Sequence, residues 1–440
     1  MRKTPLATLV TAALMSVNAS ALDLLQAYKD ALAYDSQFAS AKLQRDAGHE
    51  KGVQGRSGLL PQAAMTANVT QNRVGADATV PGVSFPKTYT SEGYAIQLQQ
   101  PLYRPANFEA YEQGKLAVAA SDAQFEQARI DIALRISQAY FDVLAAQDAI
   151  AFIQAQKIAI NEQLESAKRN FEVGTATITD THEAQARFDL AQAQEIAALN
   201  DLEVKRTAFA VIAGKLPDGL AGLKTGVKMN PPQPAGIDPW VSSAESGNIG
   251  VMTQSLQLEI AQRDISRLRA GHLPTVDAVA SYSQNKGSSP FYSDLTIDNT
   301  TIGVQLTLPL FSGFATSSQV TQAVALAGKA RADLDTARRN AAQGARTAYL
   351  GVQNGVSQVR ALEAAEASSR LALEANKTGY EVGVRINIDV LNAQQQLYST
   401  RRDLAKARYD TLLAGLKLKA AAGSLNETDL AELNALLDGR

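Results

Sequence analysis

Residues 139–147 read AYFDVLAAQ and residues 348–356 read AYLGVQNGV, and around these two points the chain repeats itself at an offset of 209. The register holds without a gap through Gly174 and Gly383, Asp180 and Asp389, Ala184-Gln185 and Ala393-Gln394, and Gly214 and Gly423. Upstream, Pro101-Leu102-Tyr103 answers Pro309-Leu310-Phe311 at 208, and Leu60-Pro61 answers Leu273-Pro274 at 213. The copies therefore differ mainly in one loop, five residues longer in the first. A duplicated unit of about 200 residues is far longer than a solenoid repeat.

Each copy has the same internal order. A helix is expected first, over 22–57 and 240–271, followed by PQAAMTANVTQN or PTVDAVASYSQN. In the first of these, Ala63, Met65, Ala67 and Val69 alternate with Gln62, Thr66, Asn68 and Thr70. In the second, Val276, Ala278, Ala280 and Tyr282 oppose Asp277, Ser281 and Ser283. Period two is the signature of a strand. A polar loop follows, and the return segments set Tyr94, Ile96 and Leu98 against Gln97 and Gln99, and Ile302, Val304, Leu306 and Leu308 against Gln305 and Thr307. Each copy thus holds one hairpin, with strands of about ten residues, which suffice to cross a bilayer when tilted.

After each hairpin comes a helix predicted over 106–172 and 315–381. At 1.5 Å per residue, some 65 residues make a rod of roughly 100 Å, which no globular core requires. Shorter helices follow at 180–214 and 389–422. Two short helices end to end match one long one, and the many alanines suit close antiparallel coiled coil. The junction of the short helices falls at mid-height, where 214–238 and 423–440 are placed as a belt. The expected organisation is a signal peptide (1–21), a first structural repeat (22–214), an equatorial linker (215–239), a second repeat (240–423) and a C-terminal equatorial segment (424–440).

Composition narrows the function. Apolar residues make up 45% of the 440, enough for a substantial core. The net charge is −2, or −4 without Arg2 and Lys3, which leaves no basic footprint for nucleic acid. Without cysteine there is no zinc finger, thiol chemistry, disulfide scaffold or lipidated N-terminal cysteine. Two basic residues, an apolar run from Leu6 to Val17 and Ala19-Ser20-Ala21 make a secretory signal, so the mature chain is expected to begin at Leu22. Beyond it no stretch approaches the ~18 apolar residues of a spanning helix, leaving strands to carry the chain into a membrane.

Four strands cannot close around anything, and an open sheet in lipid strands its edge N–H and C=O groups. Several copies must therefore share one barrel; eight, twelve or more strands would all satisfy the hydrogen bonds. The Gln, Thr, Asn and Ser of one face point to water inside.

The segment GYEVGVRINIDVLNAQQQLYSTRRDLAKARYDTLLAGLKLKAAAGSLNETDL, with FEVGTATITD and LLP…QPLYRP upstream, resembles the TolC family of outer-membrane exit ducts across essentially the whole mature chain. The resemblance implies a mainly α chain with a membrane β-barrel. Three copies would form a homotrimer, with a twelve-stranded barrel in outer membrane lipid above a helical tunnel crossing the periplasm. The lower end would close like an iris and meet a periplasmic adaptor (membrane fusion protein) and an inner-membrane ABC or RND-type pump. Cargo would be proteins or small toxic compounds, and the chain would be no enzyme.

The two interruptions of the long helices, FEVGTATITD and YEVGVRINID, then read as turns at the far end of the tube. Gly174 and Gly383 suit helix ends, the β-branched or Asn-containing residues after them do not propagate helix, and Asp180 is expected to begin the next helix with Glu183 completing a capping box. Subtracting 209 turns Tyr380 into Phe171 and Arg385 into Ala176, so the second copy gains a hydroxyl and a guanidinium. The resemblance implies that Tyr380 and Arg385, with Thr179 and Asp180, hold the closed entrance, and that Asp389 lines an acidic constriction. Where the family often has a second constriction acid, this chain has Asn392. Gly174, Thr175, Gly383 and Val384 are the expected adaptor-contact tip.

His49, His182 and His272 lack metal-ligand spacing, and no nucleophile elbow, phosphate loop or catalytic acid pair occurs, so no catalytic residue, metal site or cofactor is expected. The competing class is an exported coiled-coil scaffold or adaptor without a pore, which explains the helices but not two hairpins at matched points.

Overall fold

A computed structural model of the chain describes residues 21–73, 88–217, 219–289 and 292–438. The expected signal peptide therefore lies outside the described residues, except for Ala21.

The elements, in chain order, are helices α1 (Leu24–Tyr34) and α2 (Ser36–Ser57), strands β1 (Gln62–Arg73) and β2 (Thr88–Tyr103), and helices α3 (Pro105–Glu172) and α4 (Ile178–Ala213). The second copy contributes α5 (Asp238–Gly247), α6 (Ile249–Arg269), strands β4 (Thr275–Ser289) and β5 (Tyr292–Thr307), and helices α7 (Ala315–Glu381) and α8 (Asn387–Ala421). Between and after the copies come a short strand β3 (Gly222–Leu223), a helix α9 (Glu427–Asn434) and a short strand β6 (Leu437–Asp438). The fold is mainly helical with a small sheet. At 68 and 67 residues, α3 and α7 are rods of roughly 100 Å.

Each leading helix, expected as one piece, is two. Asp35 breaks the first and Asn248 the second, and both residues are extended. The Asp35 carboxylate accepts from the Phe38 amide at 2.7 Å, and the Asn248 side chain accepts from Gly250 and Val251. A side chain that satisfies the free amides of a new helix makes such a break inexpensive.

The four long strands form one antiparallel sheet in the order β1-β2-β4-β5, so the two hairpins join through β2 and β4. Ala63 pairs with Leu98, Leu98 with Ala280, and Ala280 with Ile302, which carries one apolar row across all four strands. Its neighbours Met65, Ile96 and Val304 are exposed on the same face. The alternate residues, such as Thr66, Gln97, Ser281 and Thr301, make the other face polar. Among the described residues β1 and β5 are the open edges. At the base of the sheet Arg104 clasps the buried Asp277 through two hydrogen bonds of 2.7 and 2.6 Å.

The helices pack as antiparallel pairs, α3 with α4 and α7 with α8, with α2 and α6 lying along α3. The approach of α2 to α3 is close enough that a Cβ on Gly48 would lie 2.0 Å from the Ser121 hydroxyl. The largest core cluster sits at mid-height, where Leu24, Ile132, Ile136, Tyr140, Phe209 and Leu430 are buried together. The Tyr140 hydroxyl there lies 2.9 and 2.8 Å from the carbonyls of Leu22 and Ala221. Pairing of β3 with β6, and of Leu22 with Leu220, ties the segment after α4 to the chain's two ends. One stretch of α3 is apolar and long enough to cross a membrane, contrary to expectation. That stretch is 28% buried within the chain, and α3 also sends Ile132, Ile136, Tyr140, Phe141 and Val143 into this core.

Candidate functional site

Both helical hairpins end in the same turn. In the first, Gly174 has φ +80°, its amide donates to the Phe171 carbonyl at 3.0 Å, and the Thr175 and Ala176 amides both reach the Asn170 carbonyl. In the second, Gly383 has φ +80°, its amide donates to the Tyr380 carbonyl at 3.1 Å, and the Val384 and Arg385 amides reach the Gly379 carbonyl. The left-handed residue lets the turn satisfy carbonyls that the ending helix leaves free. Nothing lies within 4 Å of a Cβ built on either glycine. Backbone conformation, not space, calls for glycine here. Gly174, Thr175, Gly383 and Val384 are all exposed at the tips.

The starts of the returning helices differ from expectation. Thr177, not Asp180, is the N-cap of α4, and its capping box is closed by Asp180 rather than by Glu183. The Asp180 carboxylate accepts from the Thr177 amide at 2.9 Å and from its hydroxyl at 2.8 Å. Threonine three residues earlier is the better cap, because its hydroxyl reaches the Asp180 amide. In α8 the cap is Ile386, whose hydrocarbon side chain offers no hydrogen-bond acceptor. The matching acid, Asp389, is therefore free of cap duty and faces Arg385 at 3.7 Å.

A cleft of about 810 Å³ opens between the hairpins at this end, and Asp180, Thr175, Tyr380, Gly383 and Arg385 all border it. Among the described residues no side-chain hydrogen bond or ion pair joins Asp180, Tyr380 and Arg385 to one another within one chain. Tyr380 instead accepts a hydrogen bond from the Asn170 side chain at 3.1 Å, across from α7 to α3. Thr179 is exposed on the first turn of α4. Arg385 lies over Gly379, where a Cβ would come within 2.7 Å of its Cγ. The first copy has the converse pair, Asn170 and Ala176, so arginine and glycine arrive together. Asn392 accepts from Arg187 at 3.0 Å, and the same guanidinium bonds Gln395 at 2.6 Å, tying α4 to α8 within a turn of Asp389.

Four residues at this site had not been singled out from sequence: Asn170, Arg187, Gln163 and Asn387. Their partners lie more than 200 residues away. The one available signal was comparative, since subtracting 209 from Gly379 gives Asn170. The described residues hold no group of three or more His, Cys, Asp or Glu placed to bind a metal.

Likenesses to known proteins cover the whole arrangement. The sequence pattern of the family described as outer membrane efflux protein matches residues 27–215 and 240–424. The chain is 33% identical over 436 residues to the outer membrane protein TolC of Vibrio cholerae, spanning 97% of each. It is 32% identical over 444 residues to the proteases secretion protein PrtF of Dickeya chrysanthemi, spanning 99% of this chain and 95% of the relative. With the alkaline protease secretion protein AprF of Pseudomonas aeruginosa it shares 33% over 422 residues, 95% and 88% of the two chains. Among solved structures, the outer membrane protein VceC of Vibrio cholerae superposes with a TM-score of 0.78 at 18% identity, covering 91% of this chain and 96% of that one. The Campylobacter jejuni CmeC outer membrane channel superposes with a TM-score of 0.78 at 16% identity, covering 100% and 98%.

Proposed function

The chain belongs to the outer membrane efflux protein family, and on that footing we propose that three copies close one twelve-stranded barrel over a shared helical tunnel. The protein is an outer-membrane channel for protein or drug export, its helices extending into the periplasm. It is not an enzyme, and the alternative of a pore-less coiled-coil scaffold finds no support among relatives that are channels.

One observation carries the shared barrel, and the number three rests on the likeness to the family. The sheet has an apolar face, a polar face and two open edges, β1 and β5. In lipid each unpaired backbone group costs several kcal/mol, so β5 of one copy must pair with β1 of the next until the ring closes. The polar face then lines a wet lumen, and the row holding Met65, Ile96 and Val304 meets lipid. Leu190, Val204 and Val211 support the same assembly lower down: they stand exposed on α4 at heptad-compatible spacing, a seam for a neighbouring copy.

The tip is the proposed gate. Tyr380, Arg385, Thr179 and Asp180 hold the closed end, Asp389 forms the constriction, and Gly174, Thr175, Gly383 and Val384 meet a periplasmic adaptor, itself joined to an ABC or RND-type pump. Arg385 and Asp389 are 59% and 34% exposed at 3.7 Å, a pair worth roughly 0–1 kcal/mol, so Arg385 closes the tube mainly by reaching a neighbouring copy. PrtF and AprF are secretion proteins for proteases, which places protein export beside drug efflux as the cargo class. Deleting the gene tests this: loss of secreted proteins marks the first, drug sensitivity the second, and neither change rejects both.

A further inference from the structure

At mid-height the first structural repeat is covered by α9. Leu430 of that helix is 1% exposed and lies in one cluster with Tyr28, Ile132 and Ile136. A cleft of about 210 Å³ beside it is bordered by Tyr28 of α1, Arg129 and Ile130 of α3, Ile249 of α6 and Glu427 of α9. Helix α9 therefore rests in a groove with α3 as its floor and with α1 and the start of α6 as its sides. It is a short acidic helix, with Glu427, Asp429 and Glu432 among its eight residues.

The second repeat has the same floor without the cover. At the offset of 209, Glu126, Arg129, Ile130 and Ser137 of α3 become Asp335, Arg338, Arg339 and Arg346 of α7. Ile130 and Ser137 are buried, whereas all four residues of α7 are exposed. Ile132 and Ile136 become Ala341 and Ala345, so the floor also loses bulk. Helix α5 stands where α1 stands in the first repeat, with Val241 and Ala244 packed against Ala342 and Ala345. The register matches of Asp429 and Leu430 are Leu220 and Ala221, which are buried in the core of the first repeat, where Leu220 pairs with Leu22. They are not free to cover α7. Arg331, Arg338, Arg339 and Arg346 follow at helical spacing on one side of α7, and among the described residues their side chains have no ion-pair or hydrogen-bond partner. Against four guanidinium groups that side sets one exposed acid, Asp335.

We propose that this basic side of α7, next to α5, is a docking groove for a short acidic helix of a periplasmic partner, seated as the chain seats its own α9. Charge complementarity selects the occupant, because carboxylates spaced along a helix meet guanidinium groups spaced along another. With alanine in place of isoleucine beneath it, the occupant is held by charge more than by leucine. The proposal rests on the shared barrel, since α2 of a neighbouring chain supplies the wall that α6 supplies in the first groove.

Two measurements on the purified oligomer in detergent test it. The chain has no cysteine, so Asp335→Cys carries a single thiol at the rim of the groove. A maleimide labels that thiol in the intact oligomer; protection from the reagent means that a neighbouring chain covers the face, and overturns the proposal. The ligand probe is a fluorescent synthetic peptide, SLNETDLAELNALLD, the chain's own residues 424–438. Its anisotropy rises saturably with the wild-type oligomer. Arg338→Glu combined with Arg339→Glu weakens binding about tenfold or more, and so does a change from low to high salt. The peptide carrying Glu427→Gln, Asp429→Asn and Glu432→Gln fails to bind. Absence of saturable binding overturns the groove, and so does binding indifferent to the charge reversals, which would mean that the peptide has displaced α9 from its own seat. Size exclusion checks every variant for the oligomer. A wild-type protein that runs as a single chain sinks the shared barrel, whereas an intact oligomer that ignores the peptide sinks the groove alone.

Discussion

The Asn170 side-chain nitrogen lies 3.1 Å from the Tyr380 hydroxyl, joining two helical hairpins through residues 210 positions apart. Asn170 is the residue that the duplication pairs with Gly379, directly beside Tyr380. The second copy gives up the amide where Arg385 needs room, and the first copy keeps it where it can hold the tyrosine of the second.

Tyr380→Phe combined with Arg385→Ser raises single-channel conductance. The double change removes a hydroxyl hydrogen bond and a charged donor, each worth about 1 to 3 kcal/mol, from every subunit. Asn170→Ala moves conductance in the same direction by a smaller factor, as it deprives only the hydroxyl. Unaltered conductance in the double variant takes both residues out of the gate.

Gly174→Leu and Gly383→Leu impair export in cells while oligomers still form. A bulky residue at φ +80° costs on the order of 1 kcal/mol in backbone strain, too little to unfold the hairpin. The added side chain projects into open space at the tip, where a partner would dock. Full export by both variants would place the docking surface elsewhere.

Most of the architecture was legible because it is periodic. The long helices fall within one residue of expectation at each end, since Pro105, Gly174 and Gly383 punctuate them and nothing inside the period does. The strands were legible from alternation over eight or more residues, but they run 12 to 16 residues rather than about ten, because the polar stretches expected as loop continue the ladder. The breaks at Asp35 and Asn248 were not, because one capping side chain in an otherwise helical stretch leaves no periodic trace. The role of Asp180 was misassigned for a related reason: Thr177 and Asp180 both suit an N-terminus, and only geometry shows which one caps. The contacts of Asn170, Gln163 and Arg187 with the second copy depend on how two hairpins pack, which no local pattern encodes.

Asp35→Ala lowers the unfolding temperature near neutral pH, and the deficit disappears in acid. Burial by itself would raise this carboxyl, but the Arg135 guanidinium at 2.9 and 3.0 Å and the Phe38 amide outweigh it, so the group titrates below the usual carboxylate range. A depressed acid contributes stability above its unfolded pKa and loses it as pH falls through the folded one. Thermal melts across pH check this, and a deficit that persists undiminished at the acid end contradicts it.

Asp148→Asn acts with the opposite sign. Burial pushes the Asp148 carboxyl up, against the pull of the Tyr409 hydroxyl that donates to it at 2.7 Å. The ionised form is thus a burden near neutral pH that is lifted as pH falls and the group protonates. Asparagine can still accept from Tyr409 without carrying charge, so the variant melts higher than the wild type at neutral pH, and the gain shrinks in acid. A lower melting temperature at neutral pH would show that the charge has a stabilising partner in the assembly.

Native mass spectrometry of the protein extracted from outer membrane in detergent weighs the assembly directly. Closure of one barrel from four strands per chain requires a closed oligomer, and the likeness to the family sets it at a single species of three chains, which loses its order when detergent is withdrawn. A stable, detergent-independent single chain would contradict the shared barrel, and with it the duct.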